Sequence, residues 1–584
     1  MAYSLLYRSS YQKQTYPICT FRRIARNIIA CLLLAFLIAI LLSHLNSFHI
    51  NPTSLHIQEF SKHKTNIGNI SNIVVVIDGD QQANSLLPIY CKLTKRTENV
   101  YTHVIVTGQG RGISGAKLIR LNTLVPNCDV SVYDLGISVN ENILPLVFQG
   151  ISHVLGQIRP DVLIYIKDPE NEAMRGVNAA FVAASQTISI TKIAIPIEHT
   201  KHLMWITDLS IEALKNWNTP NIQIQVITQN RPESLERLMQ SLNSSIYFGD
   251  DVYLTINVDR KADPVTIKYC QTFKWPFGYL SVRHRVVQGG LIASVVESYY
   301  PTTNDEYAVI LEDDIEISPF FYVWSKYTIL KYKYGVDRSL SGRMYGVSLY
   351  DTKFNEIHAA GRRPFNPAHV LKDTKYPNQS PYLSQNPCSW GALFFPEIWR
   401  EFHTYQNARL RNKRQRKVVV PNSRSNSWGK SWKRYLIELA YSRGYVMLYP
   451  NYKDSVSFST NHAEKGVHFH LSGERKRLWL LPLMKEDILL EGLPDGHLPS
   501  YKDLPVMDLW GRVVSTEELI RRGRKFHSKI SQCPPRNDDK LTYDPQDLLC
   551  VKNNGSTIKN ERITEKKNSV EEPIIEENVE NNLI

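Results

Sequence analysis

Residues 307–321 read Tyr307-Ala-Val-Ile-Leu-Glu-Asp-Asp-Ile-Glu-Ile-Ser-Pro-Phe-Phe321, an apolar run that ends in three consecutive carboxylates. Five apolar residues without alternation are the pattern of a strand covered on both faces, as in the middle of a parallel sheet. Neighbouring carboxylates repel, and desolvating them is costly unless a cation or hydrogen-bond donors compensate. The acids therefore either sit in solvent at a loop or hold something positive.

The surrounding pattern is α/β. Residues 222–227 and 252–258 read as strands, and 232–242 as a helix with Pro232 in its first turn. Further strands are expected at 344–349 and 445–449. An earlier alternation places strands at 72–77, 102–107, 129–133, 161–166 and 192–197, with helices at 141–155 and 171–185. This order predicts a mainly parallel sheet. A helix over 203–217 is expected to link the two halves. The glycine-rich stretch 108–115 lacks a strict dinucleotide fingerprint and reads as a turn. In open α/β sheets ligands bind beyond the carboxyl ends of strands. Three polar clusters fall at such ends: Thr228, Asn230 and Arg231; Asp259; and Glu312, Asp313 and Asp314.

At 584 residues, with 43% hydrophobic and 21% charged residues, the chain is globular and longer than one ordinary core. Residues 28–45 are apolar and follow Arg22, Arg23 and Arg26. They read as a transmembrane helix with its N-terminus cytosolic, a type II topology, and the short span points to the Golgi or ER. A luminal chain excludes nucleic acid as a partner despite the net charge of +13. Asn69, Asn243, Asn378 and Asn554 open glycosylation patterns, and six of the eight cysteines lie beyond residue 45. Cys533 and Cys550 are the natural local bridge.

Two motifs carry a family resemblance. Residues 226–242, with Thr228, Asn230 and Arg231, resemble the opening strand and helix of GT-A glycosyltransferases. Residues 310–319 resemble their acidic metal motif, closest to glycosyltransferase family 2 and the N-acetylglucosaminyltransferase I group. The resemblance covers roughly residues 222–470. It implies a GT-A domain that moves a sugar from a nucleotide-sugar, UDP-linked by preference, to a glycan or glycoprotein. It also implies a Mn²⁺ or Mg²⁺ cofactor held by Asp314. Glu312 and Asp313 would face sugar or ribose hydroxyls, Asp259 the nucleoside, and Thr228, Asn230 and Arg231 the same donor pocket. The chemistry agrees: a diphosphate leaving group needs neutralising, and hard cations take carboxylate, phosphate and water oxygens.

Other segments are less decisive. Arg283, His284 and Arg285 precede a Gln288-Gly289-Gly290 turn, which serves either a phosphate or only a helix cap. Trp390 reads either as a sugar platform or as core. The basic run within 408–420 is either a solvated loop or a lid. Inverting GT-A enzymes place an acid before the helix ending at Gly444, but here Ser431-Trp432-Lys433 stands there. Glu438 and Glu464 are the remaining candidate bases, and His462 or His468 a late metal ligand.

The chain is thus divided into a tail (1–27), an anchor (28–45), a stem (46–71), a Rossmann-like α/β domain (72–200), a linker helix (201–220), a GT-A domain (221–475), an extension (476–556) and an acidic tail (557–584). The rival reading is a non-catalytic relative that binds glycans or organises transferases.

Overall fold

The computed structural model describes residues 57–60, 71–95, 100–122, 128, 130–138, 142–411, 418–464, 478–534 and 545–550. The chain forms two compact units. One runs to Pro220 and includes Ile246–Asp251 and Tyr322–Arg338; the other holds Asn221–Ser245, Val252–Phe321 and the chain from Ser339 on.

The first unit is built on six strands: β1 (Gln58–Phe60), β2 (Ser71–Ile77), β3 (Val100–Val106), β4 (Ser131–Asp134), β5 (Val162–Lys167) and β6 (Thr191–Pro196). Their order is β1-β4-β3-β2-β5-β6, with only β1 antiparallel. The helices are α1 (Gly79–Thr94), α2 (Gly115–Asn122), α3 (Ile143–Ile158) and α4 (Glu172–Ala184). Strand order reverses at β2, so the crevice beyond its carboxyl end is where such a sheet takes a ligand. Here that crevice is filled by its own side chains. Asp78 accepts hydrogen bonds from Thr107 Oγ1 (2.7 Å), Arg111 Nε (3.0 Å) and Nη2 (2.8 Å), and Asn171 Nδ2 (2.7 Å). Burial pushes the Asp78 carboxyl up, but the bonds from Arg111, Asn171 and Thr107 outweigh it and hold the group below its usual range. The turn after β3, with Gly108 and Gly112 at positive φ, carries Arg111 to this place. The stretch 108–115 is thus a structural turn. A disulfide joins Cys91 to Cys128.

The expected helix over 203–217 is broken into one short 3-10 turn at Met204–Asp208 and a five-residue helix at Ile211–Lys215. Two local causes compete with a continuous helix. Asp208 is drawn to Tyr327 and Lys331, and Ser210 caps a new start by accepting from Ala213 N.

The second unit has a ten-stranded mixed sheet. Its strands are β7 (Asn221–Thr228), β8 (Leu254–Val258), β9 (Leu280–His284), β10 (Glu306–Glu312), β12 (Met344–Ser348), β15 (Tyr382–Ser384), β16 (Ala392–Phe394), β17 (Val446–Tyr449), β19 (Val506–Met507) and β20 (Val513–Val514). Two small ribbons complete it: β11 (Ile315–Ile317) with β18 (Ser459–Asn461), and β13 (Phe354–Asn355) with β14 (Arg363–Pro364). Sheet order is β20-β19-β15-β17-β12-β16-β10-β7-β8-β9, and β10, β7, β8 and β9 run parallel. Tyr307 through Leu311 are all buried, as the unbroken apolar run predicts. The helices that matter for the site are α5 (Pro232–Asn243), α6 (Gly290–Val296), α7 (Pro396–Arg411) and α8 (Trp432–Arg443). Cys533 and Cys550 form the second disulfide, and Cys270 and Cys388 are buried thiols.

Asp351 follows β12 and is 2% exposed. Burial pushes its carboxyl up to about 7, only partly offset by Ser455 and Lys353. A folded value above the unfolded one means that its contribution to stability is fully present below about 3.8 and is lost as pH rises through about 7. Asp351→Asn has no charge to bury. It is expected to exceed the unaltered chain in stability at pH 8 by a few kcal/mol at most, a tenfold change in proton affinity being worth about 1.4 kcal/mol. The gap should shrink towards pH 4, as urea denaturation at both pH values would read.

The expectation of a membrane anchor is corrected. Among the described residues no helix is long and apolar enough to cross a membrane. Spanning takes ~20 apolar residues, and the 16-residue helices α1, α3 and α7 fall short. The single-pass type II topology and the Golgi or ER placement derived from it are therefore not kept. Residues 28–45 themselves lie outside the described residues, as do His468 and the acidic tail.

Candidate functional site

The carboxyl ends of β7, β8 and β10 open on one cleft of about 780 Å³, lined among others by Thr228, Asn230, Arg231, Asp259, Glu312, Asp313, Asp314 and Glu464. Parallel pairing explains the convergence: Glu312 stands opposite Ile227, and Val258 opposite Thr228. Asp313 and Asp314 form the turn between β10 and β11 and do not open a helix.

Their environment is strongly anionic. Asp313 accepts from Thr228 Oγ1 at 2.8 Å and pairs with Arg231 Nη2 at 2.6 Å; Arg231 Nη1 lies 3.5 Å from Asp314. Burial raises all three carboxyls. Glu312 is pushed up to about 8 by burial together with the Asp314 and Asp313 charges, Asp313 to about 6, and Asp314 upward as well. One guanidinium faces three acids. The surplus of buried oxygen donors fits a hard divalent cation. Among the described residues no group of three or more His, Cys, Asp or Glu is arranged to hold a metal. The donor set that fits is therefore one or two carboxylates of this turn, with phosphate and water oxygens completing it, as Mg²⁺-type sites commonly do.

The other predicted residues separate. Asp259 accepts from Arg260 N (2.6 Å), Gly289 N (3.2 Å), Gly290 N (3.1 Å) and Ser294 Oγ (3.4 Å). It ties down the glycine turn, where Gly290 has φ +62°. Against burial, those donors hold its carboxyl low. Arg285 pairs with Glu297 and Arg283 reaches Ser298 O, so neither lines the cleft, whereas Gln288, Gly290 and Ser294 do. Pairing of β11 with β18 brings His462 N to Asp314 O (2.9 Å), but the imidazole turns to Glu316 at 2.7 Å. Glu464 reaches the cleft and pairs with Arg237 at 3.5 Å. Glu438 does not reach it: 1% exposed, it is held by Arg409, Arg434 and Tyr405. Arg409 thus belongs to the core of α7 and α8, not to a lid.

A second group, which the spacing in sequence does not reveal, completes the wall: Glu356, Arg362, Arg424, Lys430 and Lys433. Glu356 pairs with Lys433 Nζ at 2.5 Å. Burial raises its carboxyl, but Lys433, Arg362 and Arg424 outweigh that and keep it low. Trp390 lines the cleft and meets Tyr350 and Trp479 edge-on at 4.9 and 5.0 Å.

No curated protein matches the sequence. Matching solved structures include GalNAc-T7 with UDP, GalNAc and Mn²⁺, at 14% identity over 40% of this chain and 43% of that one, with a TM-score of 0.26. The mannosyltransferase PcManGT from Pyrobaculum calidifontis, with GDP-Man and Mn²⁺, matches at 12% identity over 35% of this chain and 52% of its own, with a TM-score of 0.21. The chain therefore spans about half the length of these two transferases. The UDP-N-acetylglucosamine 2-epimerase from Rickettsia bellii matches at 13% identity, 42% of this chain and 74% of that one, with a TM-score of 0.16. The membrane-anchored fold class expected from the sequence is corrected. Among the described residues no helix is long and apolar enough to anchor the chain in a membrane, and what is seen is a mixed α/β chain with a Rossmann-like, mainly parallel six-stranded sheet and a ten-stranded mixed sheet. Family models match residues 55–217 as the SPBC1E8.03c N-terminal domain and residues 233–415 as the SPBC1E8.03c C-terminal domain. Over more than half of its length, the chain is similar to those two domains in that order.

Proposed function

We propose that the second unit is a glycosyltransferase that moves a sugar from a nucleotide-sugar to a glycan or glycoprotein hydroxyl. The observation that carries the reading is the meeting of Thr228, Arg231, Asp259 and the Glu312–Asp314 acids at adjacent parallel strand ends in one cleft. UDP-sugars are the preferred donor class, and Mn²⁺ or Mg²⁺ the cofactor, with Asp314 as its protein ligand. When bound, such a cation would neutralise the leaving diphosphate. Glu312 and Asp313 would accept hydrogen bonds from donor hydroxyls. Arg231 keeps the acidic turn in place, and Asp259 shapes the floor through the Gly289–Gly290 backbone. Lys433, where an acid is expected, favours a non-catalytic glycan binder as the second reading.

The full chain incubated with a panel of nucleotide-sugars separates the two. Release of the nucleoside diphosphate from one donor, lost on chelation and restored by Mn²⁺, is the expected result. Metal-dependent nucleotide binding without turnover would favour the binder, and neither binding nor turnover would overturn the proposal.

A further inference from the structure

We propose that Glu356 is the catalytic base of this cleft, taking the proton from the attacking hydroxyl; this rests on the transferase reading above. The cleft's other carboxylates have work assigned by their contacts. Asp259 holds the glycine turn, Asp313 is bound by Thr228 and Arg231, Glu312 and Asp314 share the anionic turn, and Glu464 pairs with Arg237. Glu356 stands apart from them. It follows β13, and its charged partners are Lys433, Arg362 and Arg424.

The carboxylate is firmly placed. Asn355 Nδ2 donates to Leu509 O (2.9 Å) while its Oδ1 accepts from Ile357 N (3.0 Å), clamping the backbone on either side of Glu356. Arg424 N donates to Ile357 O at 2.9 Å, and His358 bridges to Ser423. Lys433 lies in the first turn of α8, the position at which the sequence lacks the expected acid. Its ammonium carries Glu356 there instead, at 2.5 Å. A different segment supplies the carboxylate, and the lysine fixes its place and keeps it ionised.

The step balances. The acceptor oxygen forms a bond to the anomeric carbon as the bond from that carbon to the phosphate oxygen breaks. The bonding pair leaves with the nucleoside diphosphate, and the acceptor proton moves to a Glu356 oxygen, later to solvent. A single displacement of this kind inverts the anomeric centre.

The probe is the nucleotide-sugar that the panel selects, with water as acceptor and the full chain as enzyme. Proton NMR at early times should find the released sugar with inverted configuration; retention would overturn the proposal without using any variant. Glu356→Gln should lose roughly 10²–10⁴-fold in kcat per folded molecule while still binding the nucleoside diphosphate. It leaves the Lys433 ammonium without its 2.5 Å carboxylate and should melt below the unaltered chain, so turnover is referred to the folded fraction. Turnover within threefold of the unaltered chain would overturn the base and leave the transferase reading standing. Lys433→Gln tests it again, should the first variant not fold. With its principal cation gone, the Glu356 carboxyl rises, left with Arg362, Arg424 and the Tyr350 and Tyr449 phenols as its principal charged and titratable neighbours among the described residues. The acid limb of the kcat/KM profile should then move to higher pH, and an unmoved limb overturns the assignment. If the unaltered chain turns over no donor, the transferase reading fails and the base with it.

Discussion

Asp314→Ala is expected to reduce metal-dependent turnover of the selected donor by roughly a thousandfold or more, since the charge that offsets the leaving diphosphate would lose its protein ligand. The same change should not destabilise the fold. Glu312, Asp313 and Asp314 are desolvated together against a single guanidinium, and each raises the cost of ionising another. Removing one leaves Arg231 its 2.6 Å partner Asp313 and relieves the repulsion on Glu312. Activity and stability therefore move in opposite directions. Turnover assays set beside thermal melts in the absence of metal would read this, and a variant that keeps its metal-dependent turnover would remove Asp314 from the site.

Glu438→Ala is expected to cost ~3–5 kcal/mol of stability. Its carboxylate takes Arg409 Nε at 2.9 Å, Arg434 Nε at 3.2 Å and the Tyr405 hydroxyl at 3.0 Å, and is 1% exposed. Truncation strands the Arg409 guanidinium, itself 7% exposed, between α7 and α8. Arg409→Met in the same chain should recover much of the loss, because the uncompensated charge is then gone. Chemical denaturation of the single and double variants measures both. Any loss of turnover in Glu438→Ala should follow the folded fraction, which distinguishes a core ion pair from the catalytic acid that the sequence admits at this position.

What was legible in the sequence was local. Residues 307–311 declare a buried strand because five apolar residues need cover on both faces. Thr228, Arg231 and the acids after Leu311 declare strand ends because parallel strands put their polar exits on one side. Contacts that cross long distances in the chain left no such trace. Lys433 and Glu356 are 77 residues apart, and nothing but opposite charge links them. The break in 203–217 depends on Lys331, 123 residues away from Asp208. Asp259 was legible as a polar residue at a strand end, yet its hydrogen bonds go to backbone amides 30 and 31 residues later. Composition misled in one direction: an apolar run near the N-terminus set the expected placement of the whole chain, and no described helix supports it.

The ribbon of β11 with β18 also has a consequence for the order of synthesis. Glu316 and His462 meet across 146 residues, so the acidic turn leaves the ribosome well before the strand that covers it. At about 5–20 residues per second, the interval is roughly 7 to 30 s. During it β11 has no ribbon partner. The ribbon closes when Ser459–Asn461 docks, so a nascent chain halted before that strand carries every acid of the turn without Asn461 and Glu464 at the cleft.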